Sequence, residues 1–241
     1  MTTSATATEA LLVRAATYQA LATGYDYPSV SQRDRLRTLL DDLGWIAEGS
    51  GDVGVPALDP LAHALAASPA AEVEADFNRL FSGDVACTPH ETAYEPDVFR
   101  RQRSLADIAG FHAAFGVTLP DDSRWQPDHI GVELDLCATL LQRQAHAREQ
   151  GWDEPAEVCE QALRSFLADH LGRWYAAFAR RLVHHAASTF YRELARVTDA
   201  WVRQELARWR LHPEPLAPRP RTVDDDAPPA CGACPAVPSV P

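Results

Sequence analysis

A thiol and an imidazole three residues apart, Cys87 and His90, are the first residues in this chain whose types and spacing could do chemistry. A Cys-x-x-His turn can place both groups on one zinc ion. A second pair, Cys231-Gly-Ala-Cys234, has the spacing of a metal-binding or redox dithiol. Each pair supplies two ligands where structural zinc takes four, so the plainer reading is a loop thiol, a solvated histidine and a reduced dithiol. The metal reading, a helical metal-binding protein or metal carrier, draws on Cys87, His90, Cys231 and Cys234 together and stands as the alternative.

Two further clusters mix polar and apolar residues where a helical core requires neither order. One runs from Phe77-Asn78-Arg79-Leu80-Phe81 through Pro89-His90-Glu91-Thr92-Ala93-Tyr94; the other is Pro127-Asp128-His129-Ile130 followed by Glu133 and Leu134. Each also has an ordinary explanation. Phe77, Leu80 and Phe81 at helical spacing are commonly core, Asp128 complements a helix N-terminal dipole, and His129 serves as a solvated first-turn residue. The chain holds no glycine-rich phosphate loop, no His-Glu-x-x-His and no paired Glu-x-x-His, so the expectation is a non-catalytic protein without a cofactor of its own.

The elements that must position these residues are helices. Apolar residues recur at the 3.6-residue period nearly everywhere, and alternation of period two is scarce. Leu11, Ala15, Tyr18, Ala22 and Tyr25 trace a first helix ended by Pro28, and Ser31 to Leu43 a second stopped at Gly44. A short helix spans Leu61 to Ala67. Ser68 then reads as an N-cap, with Pro69 at the first helical position and Gly83 as the stop. The stretch from Asp84 to Arg103 reads as a crossing loop, leading to a helix from Ser104 to Phe115 with Ser104 and Asp107 as a capping box and Gly116 as its left-handed exit.

Pro127 opens a helix carrying Ile130, Leu134, Cys137 and Leu141, which Gly151 ends. Asp153 and Pro155 open the next, which breaks near Gly172, and Phe190 to Leu206 marks the last. The expected fold is all-α: a single-domain bundle of about nine helices over residues 1–211. Nine of the 18 prolines fall in residues 212–241, so that segment reads as a proline-rich, flexible tail carrying Cys231 and Cys234.

Composition narrows the partners. The net charge is −12 and every fixed side-chain cation is an arginine, which disfavours nucleic acid and favours basic ligands. No run approaches the roughly 18 apolar residues of a membrane span, and residues 1–8 carry no basic residue of a secretory signal. Five cysteines without a regular framework suit a reducing compartment, so the expected location is the cytoplasm.

Taken in order, the clusters resemble the TorD/DmsD/NarJ family of redox-enzyme maturation chaperones, and most closely its TorD-like branch. The matching elements are Phe77-x-x-Leu80-Phe81-x-Gly83, Pro89-x-Glu91-x-x-Tyr94, Gly110-Phe111 with Phe115-Gly116, and Pro127-Asp128-His129-Ile130-x-x-Glu133-Leu134. The resemblance implies a cytoplasmic chaperone that binds the twin-arginine signal peptide and apoprotein of a molybdopterin oxidoreductase catalytic subunit. Such a chaperone assists cofactor insertion and delays export until the enzyme is mature. It also implies a peptide site at Leu80, Phe81, Glu91, Tyr94, Asp128, His129 and Glu133, where the carboxylates meet guanidinium groups and the apolar side chains meet the leader's greasy run. The expected protein is a monomer or homodimer. A subunit permanently retained in a redox complex is a third possibility, separated from a chaperone by co-purification with the mature enzyme.

Overall fold

The computed structural model describes residues 2–50, 57–82, 87–119 and 125–216. Among the described residues there are nine α-helices and no strand, as the periodicity predicts. Helix α1, Thr2–Gly24, buries Leu11, Ala15, Tyr18 and Leu21 and packs along α6, Ile130–Glu149. Its last residue, Gly24, lies so close to α9, Thr189–Arg208, that a Cβ there would stand 2.7 Å from Leu194 Cδ1. Midway along α1, Arg14 reaches α9 through a buried bidentate pair, Nε to Glu205 Oε1 at 3.1 Å and Nη2 to Oε2 at 2.6 Å.

Helix α2, Val30–Ser50, runs through Gly44, where the sequence suggests a stop. A glycine ends a helix when it takes the left-handed exit, and here only Gly116 and Gly151 have positive φ among the described glycines. Leu36, Leu40 and Leu43 are buried, and their packing outweighs the ~1 kcal/mol that a glycine costs inside a helix. Helix α3, Asp59–Ala67, closes at Ser68, whose N–H donates to the Ala64 carbonyl. Pro69, not the predicted Ser68, occupies the N-cap position of α4, Ala70–Phe81, and makes no side-chain cap bond. Gly83 lies outside the described residues.

Helix α5, Val98–Ala114, starts six residues before the predicted Ser104. Asp97 is its cap, accepting from the N–H groups of Phe99 and Arg100 at 2.8 and 3.2 Å. The first turn was illegible because Val98 and Phe99 are exposed, so no apolar stripe announces it. The part of the predicted crossing loop before it contains a 3₁₀ turn, Glu91–Tyr94.

Helix α7, Asp153–Phe166, and α8, Gly172–His185, form one rod through a π turn, Leu167–Leu171, at the predicted break. Gly172 is required there: a Cβ would stand 2.4 Å from the Leu167 carbonyl oxygen that the Gly172 N–H itself meets. After α9, the chain from His212 lies on α8, with the Leu216 N–H donating to the Arg173 carbonyl at 2.7 Å. Cys231 and Cys234 lie outside the described residues. No helix among the described residues is long and apolar enough to cross a membrane.

Candidate functional site

The two polar clusters meet. The Glu91 N–H donates to the Asp128 carbonyl at 3.0 Å, and the Ile130 N–H to the Pro89 carbonyl at 2.9 Å. His90 and His129 thereby form an antiparallel bridge that ties the 3₁₀ turn to the start of α6. Helix α6 starts at Ile130 rather than at Pro127, because His129 supplies the cap: its Nδ1 accepts from the Gly131 N–H at 3.1 Å.

Around this bridge, all seven residues expected to bind a peptide are buried: Leu80, Phe81, Glu91, Tyr94, Asp128, His129 and Glu133. The three carboxylates are committed internally, so in this conformation they do not offer themselves to a guanidinium group. Asp128 Oδ1 pairs with His90 Nδ1 at 2.9 Å, and its Oδ2 accepts from Thr92 N at 3.2 Å and Thr92 Oγ1 at 2.6 Å. Burial alone would raise its pKa; the His90 and Thr92 hydrogen bonds outweigh burial and hold the carboxyl below the ordinary aspartate value. Leu80 and Phe81 pack in the core, Phe81 edge-on to Tyr191 at 5.5 Å, and the Tyr94 ring lies against Trp174.

Glu133 and Glu91 build a second, deeper unit. Glu133 Oε2 accepts from Trp174 Nε1 at 3.0 Å, while its Oε1 has no hydrogen-bond partner among the described residues. Burial and the adjacent Glu91 push its pKa well above the ordinary glutamate value. Glu91 faces His170 Nδ1 at 3.2 Å, and His170 Nε2 faces Asp107 Oδ2 at 3.1 Å. Burial would lower the His170 pKa, but the two carboxylates prevail and raise it. The π turn supplies this geometry, turning a ring inward between Phe111 and Phe166 while leaving it in reach of Asp107 at the surface. By helical spacing alone His170 falls on one stripe with Phe166 and Trp174; only the break at Gly172 hints otherwise.

Cys87 does not join His90. Its thiol is fully buried, 4.0 Å from the Phe178 carbonyl, and burial pushes its pKa up to about 12, far from the thiolate that metal binding needs. His90 is spent on Asp128. Among the described residues no group of three or more His, Cys, Asp or Glu side chains is arranged to hold a metal.

The open part of the site lies on the other side of His129. A hollow of about 220 Å³ is lined by Asp26, Arg35 and His112, by Val117 and Leu119, and by Trp125, His129, Val132 and Asp135. Trp125 stacks on the His129 ring at 4.1 Å and 15°. Burial, reinforced by the neighbouring His90, pushes His129 down to about 3, so a neutral, flat imidazole–indole pair forms one wall. Asp26 accepts from Trp125 Nε1 at 3.2 Å and from Gln32 Nε2 at 2.5 Å. Asp135 differs. It has no hydrogen bond or ion pair among the described residues, and desolvation raises its carboxyl above the ordinary value even though Arg35 and His112 oppose that. A carboxylate free of hydrogen bonds beside apolar walls can receive a cation, here in a hollow that it shares with Arg35 and His112. Asp26, Trp125 and Asp135 were not anticipated; Asp135, a polar residue on the open side of the Leu134–Cys137–Leu141 stripe, is the one the helical period could have exposed.

A sequence profile described as the nitrate reductase delta subunit matches residues 50–180. The chain belongs to that family. Among curated relatives, it is 33% identical over 113 residues to the selenate reductase assembly chaperone protein of Thauera selenatis, covering 46% of this chain and 57% of the relative. Over 119 residues it is 34% identical to the chlorate reductase assembly chaperone protein of Ideonella dechloratans, covering 49% and 58%. The matched regions thus span under three-fifths of those relatives. A TorD chaperone of Vibrio cholerae is 26% identical over 136 residues. The fold is shared with an Archaeoglobus fulgidus chain described as a redox enzyme maturation protein, at a TM-score of 0.50 and 18% identity, over 78% of this chain and 91% of that one.

Proposed function

We propose that this protein is a cytoplasmic, non-catalytic chaperone for the catalytic subunit of a molybdenum-containing oxidoreductase. It binds the subunit's twin-arginine signal peptide and apoprotein, assists cofactor insertion and delays export. Membership of the family and the chaperone names of its relatives support the class. The observation that carries the site is Asp135, which makes no hydrogen bond or ion pair among the described residues, in a hollow walled by Trp125, Val117 and Leu119: a carboxylate beside apolar surface suits a peptide whose arginines precede a greasy run. In this reading the seven buried residues have two roles. His129 forms the wall, while Leu80, Phe81, Glu91, Tyr94, Asp128 and Glu133 hold the bridged segment that presents it.

The test is a calorimetric titration with a synthetic twin-arginine peptide. Asp135→Asn weakens binding by about 1 kcal/mol, on the order of fivefold, and replacing both peptide arginines with glutamine abolishes it. Equal affinity for the arginine and glutamine peptides sinks the reading. Stable co-purification with the mature enzyme would instead mark a retained subunit.

A further inference from the structure

The hollow beside His129 does not stand alone. A second one, of about 440 Å³, lies between α6 and α7 and is lined by Phe115, Arg143, His146, Trp152, Pro155 and Val158, among others. Its lining is chiefly apolar, and Trp152 and Val158 are each 52% exposed, an unusual investment of apolar surface in solvent. The edge of Trp152 meets His146 at 5.8 Å.

The two hollows occupy the same face of α6. Val132 and Asp135 border the first, and Arg143 and His146 the second; with Thr139 between them these residues step by three or four and share one side of the helix. From Val132 to His146 that side runs roughly 21 Å at 1.5 Å per residue. Across the groove, Phe115 borders the second hollow and Val117 the first, two residues apart through Gly116, whose φ of +54° turns the chain at the end of α5. The flanking side of α6 is buried through Leu134, Leu136, Cys137 and Leu141, so this strip is the part of the helix left open.

Polarity changes along the strip. Both carboxylates, Asp26 and Asp135, stand at the α6 N-terminal end beside Arg35 and His112, while Trp152, Pro155 and Val158 give the far end its chiefly apolar surface beside Arg143 and His146. We infer that the two hollows form one binding track for a single peptide. Its basic residues sit at Asp135 and its following apolar run lies along Phe115, Trp152 and Val158. The inference rests on the signal-peptide reading and adds to it a direction and a second contact surface. A leader segment, basic first and apolar after, matches the order acid then grease along α6.

The experiment uses the full chain and two synthetic peptides. One carries two adjacent arginines followed by a run of leucine and alanine; the other ends after the arginines. Trp152→Glu combined with Val158→Asp weakens the long peptide tenfold or more and leaves the short one unchanged, whereas Asp135→Asn weakens both. Both altered positions in the double variant are half-exposed, and an unchanged circular-dichroism melt verifies its fold; should that melt shift, Trp152→Ser alone replaces it with the same expected pattern. If the long peptide binds the wild type but is insensitive to Trp152 and Val158 while remaining sensitive to Asp135, the track is overturned and the peptide site stands. If neither peptide binds the wild type, both fall.

Discussion

Glu133 and Asp135 lie two residues apart on α6 and live in opposite surroundings. Glu133 points into the bundle, bonded to Trp174 and pressed against Glu91; Asp135 lines an open hollow without a hydrogen bond among the described residues, in the field of Arg35 and His112. Both carboxyls are raised above their ordinary values, yet for different uses. The inner one is disfavoured as an anion by burial and by Glu91, which itself faces His170 and, through it, Asp107 at the surface. The outer one remains available to a ligand's charge. The lesson is that one turn of helix can separate residues that hold a site's shape from residues that meet its ligand, although a sequence motif lists them together.

The sharpest way to break this division is to remove His170. Its loss strands Glu91, buried and facing a second carboxyl, so His170→Ala costs about 3 to 5 kcal/mol of stability by urea unfolding. Gly172→Ala attacks the same unit through the backbone. The added carbon at 2.4 Å from the Leu167 oxygen forces the π turn to shift, costing about 1 to 3 kcal/mol in the same assay and loosening the 3₁₀ turn in hydrogen exchange.

Glu133→Gln is milder, within about 1 kcal/mol at neutral pH, because the amide keeps the side chain's shape and its oxygen still accepts from Trp174. Its signature is in the pH profile. A carboxyl whose folded pKa is raised gives its full contribution below the ordinary glutamate value and loses it as pH climbs toward the folded value. His170, also raised, adds a loss of the same sign above the ordinary histidine value of 6.5. The wild type therefore weakens toward alkaline pH, and Glu133→Gln flattens that decline. His129 acts in the opposite direction: lowered to about 3, it binds fewer protons folded than unfolded, so stability falls as pH drops below 6.5, by at most ~1.4 kcal/mol per pH unit. Smallest in stability is Asp135→Asn, within about 0.5 kcal/mol, since it breaks no internal bond. A large loss there would merge the two regions that the comparison separates.

The helical period made the bundle legible because Tyr18, Leu134, Phe178 and Trp201 each obey it and each is buried. Starts of helices were less legible. Val98 and Phe99 are exposed at the head of α5, and Ser68 and Pro127 have the types of helix-opening residues although Pro69 takes the first boundary and His129 caps the second. The meeting of the two polar clusters followed from their resemblance to family motifs, but which carboxylate faces water did not. That depends on the rotation of α6 and on a histidine delivered by a π turn, marked in the sequence only by the period that sets Asp135 off the Leu134–Cys137–Leu141 stripe and by the break at Gly172.

The account's central claim is that the strip of α6 beside Trp125 receives the basic end of a leader peptide. A photo-crosslinking group placed next to the arginines of a synthetic twin-arginine peptide tests it most directly, with the adducts located by mass spectrometry. The expected adducts fall on Trp125, Val132 or their neighbours in that hollow, and Asp135→Asn diminishes them. Adducts confined to the groove of Arg103, Asp107 and Arg173 on the α5–α8 side would contradict it.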